Sequence, residues 1–330
     1  MQNKLNWETD VNVLLIFFTR ADVFEKCFEA VRKVRPRRLL LWQDGPRENR
    51  PDDLENIKNC RKIAENIDWD CEVHKCYNEK NYGCDPSTFY AHKWAFSIVD
   101  KLIVLEDDVV ASPDFFRFCK ELLDKYENDE RIARICGMNE IKNFKCEDSY
   151  FFSKIGSVWG WATWKRVADT WDEQYSFLAD ENAMSLMRNY RSGDKSYPHY
   201  EQVCLGHKAE GVPHWETIQT YARYFNSQLN ITPAKNLVKN IGLGEESTHS
   251  KTELQCLPKQ LREAFYCDAE SLSFPLKHPK YIIDNVEYRN QLYKIIGKGH
   301  PLIQKKLKLE SIWLRIRHKG LGLVLGKLKK

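Results

Sequence analysis

No apolar run in the 330-residue sequence approaches the roughly 20 residues a helix needs to cross a bilayer. The segment Met1–Asp10 has no apolar core of the kind a secretory signal carries, so a cytoplasmic location is expected. Cysteine is present 11 times, an odd number, with no Cys-x-x-Cys pair and no Cys/His grouping at zinc spacing. That excludes a disulfide framework and a structural zinc site, and reads as scattered reduced thiols. A Walker A loop is missing. Gly242 and Gly244 follow no early strand and lack a third glycine, so no dinucleotide fingerprint is present either. There is no internal repeat. Basic charge is scarce outside the C-terminus: residues 298–330 carry ten Lys/Arg against one Glu, a net +9, and the whole chain only +4, which leaves −5 for the rest. Without a basic stripe, nucleic acid is not an expected partner of the main body.

What is present is an alternation of strand and helix patterns. Val11–Phe18 is an apolar run suited to a strand covered on both faces. Residues 22–34 have helical apolar spacing, Arg38–Gln43 is a second strand, and Pro51 opens a helix to about Ile67. Trp69–Cys76 reads as a third strand, Pro86 to about Val99 as a helix, and Leu102–Leu105 as a fourth strand. A helix to about Tyr126 and a strand at Ile132–Cys136 follow. This order predicts a mostly parallel central sheet with flanking helices. Further helices are expected near Lys165–Trp171, Leu178–Arg188, Tyr200–Lys208 and Trp215–Phe225.

The fourth strand stops at three consecutive carboxylates, Glu106, Asp107 and Asp108, and Ser112-Pro113-Asp114 then starts a helix. A solvated acidic loop is the plain reading of one such pair. However, Arg20 ends the first strand and Asp44 follows the second. In a parallel sheet these groups converge at the strand C-termini, where open α/β sheets bind ligands. Clustered carboxylates there call for a positive partner, and a hard divalent cation with a diphosphate would supply it.

Other residues carry two readings each. Trp159, Trp161, Trp164 and Trp171 crowd residues 156–171 around Gly156 and Gly160. They suit a packed core or an aromatic floor for a sugar, and the two readings can hold for different rings. Glu216, next to Trp215, is either a favoured helix-start acid or a partly desolvated base. His249, in a late glycine-rich stretch, is either structural or a metal or phosphate contact.

Taken in order, these segments resemble the GT-A glycosyltransferases, more closely the N-acetylglucosaminyltransferase I type and its bacterial relatives. Phe18-Thr-Arg20 is similar to the family's first-strand end, and Trp42-Gln-Asp-Gly45 to its Ser-Gln-Asp segment. Val104-Leu-Glu-Asp-Asp-Val-Val-Ala-Ser-Pro-Asp-Phe-Phe116 resembles its acidic signature, and Ile155-Gly-Ser-Val-Trp-Gly-Trp161 its acceptor-side loop. The resemblance implies a GT-A, Rossmann-like nucleotide-diphospho-sugar transferase fold. It implies that Arg20 and Asp44 contact the nucleoside and that Glu106 and Asp107 help hold the nucleotide sugar. It also implies that Asp108 coordinates a metal, usually Mn2+ (or Mg2+), which His249 would complete, and that Trp159, Gly160 and Trp161 face the acceptor. Glu216, in His214-Trp-Glu216, is the nearest match to the family's catalytic Asp. His92 falls about one position from a family histidine that contacts the base. The stretch from Asn236 to His249 resembles the bacterial relatives, which points to a surface polysaccharide or lipid-linked glycan as acceptor.

The expected function is therefore metal-dependent, inverting sugar transfer from a nucleoside diphosphate, UDP by expectation, to a glycan. A nucleotide-sugar hydrolase, a nucleotidyltransferase using the same cleft, and a non-catalytic membrane-binding protein are the alternatives. Residues 1–150 are expected to form the nucleotide-sugar-binding half, and 151–297 the acceptor half and its extension. Residues 298–330 would form a basic amphipathic tail. Leu302, Ile303, Leu307, Leu309, Ile312, Trp313 and Leu314 lie among lysines and arginines there. This predicts either a docked C-terminal helix or peripheral attachment to the anionic inner face of the membrane.

Overall fold

A computed structural model of the chain describes residues 10–193, 197–242 and 254–319. Up to Cys136 the chain runs β1 (Asn12–Phe17), α1 (Ala21–Val34), β2 (Arg38–Gln43), α2 (Asp53–Ala64), β3 (Glu72–Tyr77), α3 (Cys84–Ala95), β4 (Lys101–Glu106), a short β5 (Val109–Ala111), α4 (Pro113–Lys125) and β6 (Ile132–Cys136). It continues through β7 (Tyr150–Ser153), β8 (Trp161–Trp164), α5 (Lys165–Ala168), α6 (Glu181–Tyr190), α7 (Tyr197–Glu210), α8 (Trp215–Phe225), β9 (Leu229–Pro233) and β10 (Val238–Asn240). The remaining helices are α9 (Lys259–Phe265), α10 (Val286–Ile296) and α11 (Pro301–Lys319).

Eight strands form one sheet in the order β3-β2-β1-β4-β8-β6-β9-β7. β8 is antiparallel to both neighbours and β7 to β9; the remaining pairs are parallel. The mostly parallel α/β architecture expected from the sequence is thus observed. Alternate residues of each strand feed opposite cores, as a two-residue side-chain period requires. Val13, Leu15, Leu39, Leu41, Ile103 and Leu105 pack with Phe24 and Phe28 of α1 and Phe115 of α4. Leu14, Leu40, Leu102 and Val104 face the other way, toward Phe89 of α3 and Trp215 and Ile218 of α8. Both faces are covered, which is why these strands read as unbroken apolar runs.

The acidic turn is held between these layers. Ser112 caps α4 by accepting a hydrogen bond from the Phe115 amide at 3.3 Å, with Pro113 in the first turn. β5 then pairs antiparallel with β10, Ala111 opposite Val238 and Val109 opposite Asn240. That small second sheet draws the stretch around Gly242 onto the turn.

The sequence reading departs from the structure in definable places. Trp69 does not open a strand; it is buried, and its indole N–H donates to the Pro36 carbonyl at 2.9 Å. α2 stops at Ala64, short of Ile67. The tryptophan segment contains a strand, β8, which lies between β4 and β6. β7 to β10 have only three to five residues each, too few to show a period of their own.

α11 is docked by one face. Leu307 and Leu314 are buried, the Lys259 amide donates to Glu310 Oε1 at 3.2 Å, and Ser311 Oγ donates to the Cys256 carbonyl at 3.5 Å. Leu302, Leu309 and Trp313 remain exposed at 84%, 58% and 54% on the outer side. No helix among the described residues is long and apolar enough to cross a membrane.

Candidate functional site

The C-terminal ends of β1, β2 and β4 open into a cavity of about 290 Å3. Phe18, Thr19 and Arg20 enter it after β1, Asp44 and Arg47 after β2, and the loop from Asn81 into α3 forms one side. Glu106, Asp107 and Asp108 form the floor, while Trp159, Asn240, Gly242 and Tyr266 close the far side. Strand direction explains the convergence: β1, β2 and β4 are mutually parallel, so their ends share one edge of the sheet.

Arg20 is the keystone of the floor. Its Nη2 donates to Asp107 Oδ1 and, at 2.9 Å, to Asp108 Oδ2. Nη1 reaches the Gly242 carbonyl at 3.4 Å. Burial pulls the guanidinium's pKa down, but Asp107 and Asp108 outweigh it, and the net shift is upward. On Asp108, Oδ1 accepts from Asn240 Nδ2 at 3.2 Å and the backbone carbonyl accepts from the Ile241 amide at 2.8 Å.

The carboxylates are electrostatically stressed. Burial, then the charges of Asp108, Asp107 and Glu216, push the Glu106 carboxyl up to about 8. Burial also raises Asp107, to about 6, against the pull of Arg20. Even where Glu106 keeps its proton, Arg20 is shared between Asp107 and Asp108, so the turn favours a ligand that brings positive charge with it. Among the described residues no three His, Cys, Asp or Glu side chains form a metal cage. The donor set instead suits an ion that takes one or two carboxylates and completes its shell with phosphate oxygens and water, as Mg2+ and Mn2+ do.

Asp44 does something more structural than expected. Its carboxylate accepts from the amides of Gly45, Tyr82 and Gly83 at 3.0, 2.9 and 3.0 Å, and from Asn81 Nδ2 at 3.2 Å. Burial raises its pKa and those amide hydrogen bonds lower it, with burial prevailing. Asp44 therefore fastens the 81–83 loop as a wall of the cavity.

Of the acceptor-side residues, Trp159 reaches the cavity, packed on Phe265 and Tyr266 at ring separations of 5.9 and 5.7 Å. Trp161 does not, which corrects the expectation for that ring. It is 2% exposed and stacks on Trp215 at 5.8 Å and 11°, with His92 at 5.1 Å. Gly160 is inside as well: its φ is +62°, and a Cβ would meet Val238 Cγ1 at 2.8 Å. The alternation of β8 drives this, because Trp161 faces one core and Ala162 the other. His92 is fully buried among tryptophans and cannot reach a nucleobase.

No protein-family model matches the chain, and no curated protein matches it. Solved structures that match include a UDP-glucose pyrophosphorylase complexed with UDP-glucose, at 10% identity and a TM-score of 0.30, over 48% of this chain and 78% of that one. Another is the 4-diphosphocytidyl-2C-methyl-D-erythritol synthase of Anaerococcus prevotii, at 12% identity and a TM-score of 0.30, over 49% and 75%. A likeness this distant says nothing about activity.

Glu216 is the exposed residue of an otherwise buried first turn of α8, outside the cavity lining, yet its charge raises both Glu106 and Cys84. The turn before it is anchored: His214 Nδ1 lies 2.9 Å from Asp85 on α3, and Nε2 lies 2.8 Å from Glu210 on α7. His249 lies outside the described residues. The sequence reading missed Asn240, Gly242 and Tyr266. The signal for the first two is the stretch from Asn236 to His249, whose resemblance to the bacterial relatives does not by itself place Asn240 or Gly242 at the acidic turn.

Proposed function

We propose that the chain is a GT-A-type glycosyltransferase that moves a sugar from a nucleoside diphosphate, UDP by preference, to a hydroxyl of a glycan acceptor. The supporting observation is the floor of the cavity: three carboxylates at the end of β4, with Arg20 ion-paired to two of them. A diphosphate alone would be repelled there, so it must arrive with a cation. Asp108, with Asp107 beside it, would hold Mn2+ or Mg2+. When bound, that ion neutralises charge growing on the leaving diphosphate.

The remaining work falls to the chain's own groups. Arg20 keeps both aspartates oriented and offers the phosphates a donor. Asp44 holds the loop that walls the nucleoside, and Trp159 and Tyr266 provide aromatic faces for a sugar ring. Glu216 is the proposed base. Its place beyond the lining suits contact with the acceptor hydroxyl. The family resemblance implies direct displacement with inversion, and a bacterial surface polysaccharide or lipid-linked glycan as acceptor.

Attachment to the inner face of the membrane belongs to the same reading. The exposed Leu302, Leu309 and Trp313 of α11 lie among Lys305, Lys306 and Arg317. Cations near an anionic leaflet contribute about 1 kcal/mol each.

Product analysis tests the function. Purified protein with Mn2+, a panel of nucleotide sugars and oligosaccharide acceptors should form a new glycoside, and Asp108→Ala should not. Free sugar as the sole product would make the chain a hydrolase. Conversion of a nucleoside triphosphate to an activated sugar would make it a nucleotidyltransferase.

A further inference from the structure

A second cavity, of about 500 Å3, adjoins the first at Tyr266. Tyr266 lines both, and Trp159 packs against Tyr266 from the first side only. One residue thus borders two concave spaces, so a ligand in the second cavity sits next to one in the first.

The lining of the second cavity has a definite charge character. Lys142, Lys259 and Arg262 bring three cations. Of its acids, Asp268 is already held by Lys239 at 2.5 Å and Glu270 by Lys235 at 3.0 Å, two lysines that are not part of the lining. Glu263 is more distant from its partner, 3.7 Å from Lys259. The cavity therefore presents more unneutralised positive than negative charge. Arg262 Nε is buried and has no hydrogen-bond partner among the described residues. A guanidinium does not lose its charge to relieve such a position, and its fork matches a carboxylate or a phosphate.

We infer that this cavity is the seat of the acceptor, and that the acceptor is an anionic saccharide: its carboxylate or phosphate on Arg262 and Lys142, its sugar face on Tyr266. The inference rests on the first cavity being the donor site. The first residue of α9, Lys259, lines the cavity and is tied to Glu310 of α11, so the cavity adjoins the helix proposed to meet the membrane.

The test uses the full chain and ligand-observed NMR with three probes: a neutral oligosaccharide, a uronic-acid oligosaccharide and a sugar 1-phosphate. UDP with Mn2+ is titrated separately. At least one anionic probe should bind tenfold or more tighter than the neutral one, and which one does so identifies carboxylate or phosphate as the recognised group. Arg262→Gln and Lys142→Gln should abolish that preference while leaving UDP affinity unchanged. Equal binding of neutral and anionic probes, or an anionic preference that survives both substitutions, overturns the inference. So does UDP binding with no saccharide binding, although the donor reading then stands. Anionic binding without UDP binding supports the second cavity and overturns the donor reading instead. If a variant fails to fold, the comparison of probes on the unaltered chain still decides.

Discussion

Gly242 sits against the carboxylate of Asp108 so closely that a Cβ built there would overlap Asp108 Oδ2 and stand 2.8 Å from Asp108 Cβ. The two residues are 134 positions apart, brought together by the pairing of β10 with β5. Gly242→Ala must shift the Asp108 side chain or the backbone at 242, and either disturbs the ion pair of Asp108 with Arg20. The expected result is at least a tenfold loss of Mn2+-dependent UDP affinity with the fold retained. Calorimetric titration checks this, and an unchanged affinity would remove Asp108 from the metal-binding role.

The acidic turn predicts a proton signature. Glu106 is held near 8 against an ordinary 4.5, so the folded chain carries an extra proton between those values. The contribution of Glu106 to stability without ligand should therefore decline as pH rises from about 4.5 to 8. A divalent cation with nucleotide favours the ionised form. Its binding should release close to one proton near pH 7 and tighten as pH rises from 6 to 8. Titrations in two buffers of different ionisation heat measure the release, and Glu106→Gln should suppress it.

His92 predicts the opposite slope. Burial lowers its pKa from 6.5 to about 4, despite the hydrogen bond from Nδ1 to the Thr88 carbonyl. In the unfolded chain it protonates below 6.5, and in the folded chain it resists down to about 4. Stability should fall through that window by about 3 kcal/mol. The difference between the unaltered chain and His92→Phe in denaturant melts at pH 7 and pH 4.5 isolates the slope. In His92→Phe, which keeps the ring between Trp161 and Trp215, this contribution should vanish.

Glu216→Gln should keep donor binding and lower turnover by about 10²–10⁴-fold, the usual effect of removing a positioned base. Glu216 is not among the residues that line the donor pocket, so KM for the nucleotide sugar should change far less than turnover. Near-normal turnover would assign the proton transfer to another group.

The two faces of α11 should behave differently. Leu309→Ser with Trp313→Ser alters exposed positions and should leave the melting temperature unchanged while reducing sedimentation with anionic vesicles. Leu307→Ala removes a buried contact and should destabilise by about 2–5 kcal/mol. Truncation at Gly297 would uncover the surface under Leu307 and Leu314, so it should destabilise as well. Full vesicle binding by the double serine variant would dismiss the membrane reading of this face.

Much of the first half was legible in the residue order. Strand runs such as Val13–Phe17 are apolar because both faces are covered, and the caps at Ser112-Pro113 act through neighbours only a few residues away. The convergence of Arg20 with Glu106, Asp107 and Asp108 followed from strand direction alone, since parallel strands end at one edge. What the sequence could not decide was set by contacts between distant segments. Trp159 and Trp161 are two residues apart and chemically identical. One faces the cavity and the other is core, because β8 happens to insert between β4 and β6 and its pleat turns Trp161 inward. Gly242 and Tyr266 joined the site only through the β10–β5 pairing and the packing of α9 on Trp159. Local propensity is a property of a few consecutive residues, whereas a strand of four gains its stability from whatever lies beside it. That neighbour is known only once the chain is folded.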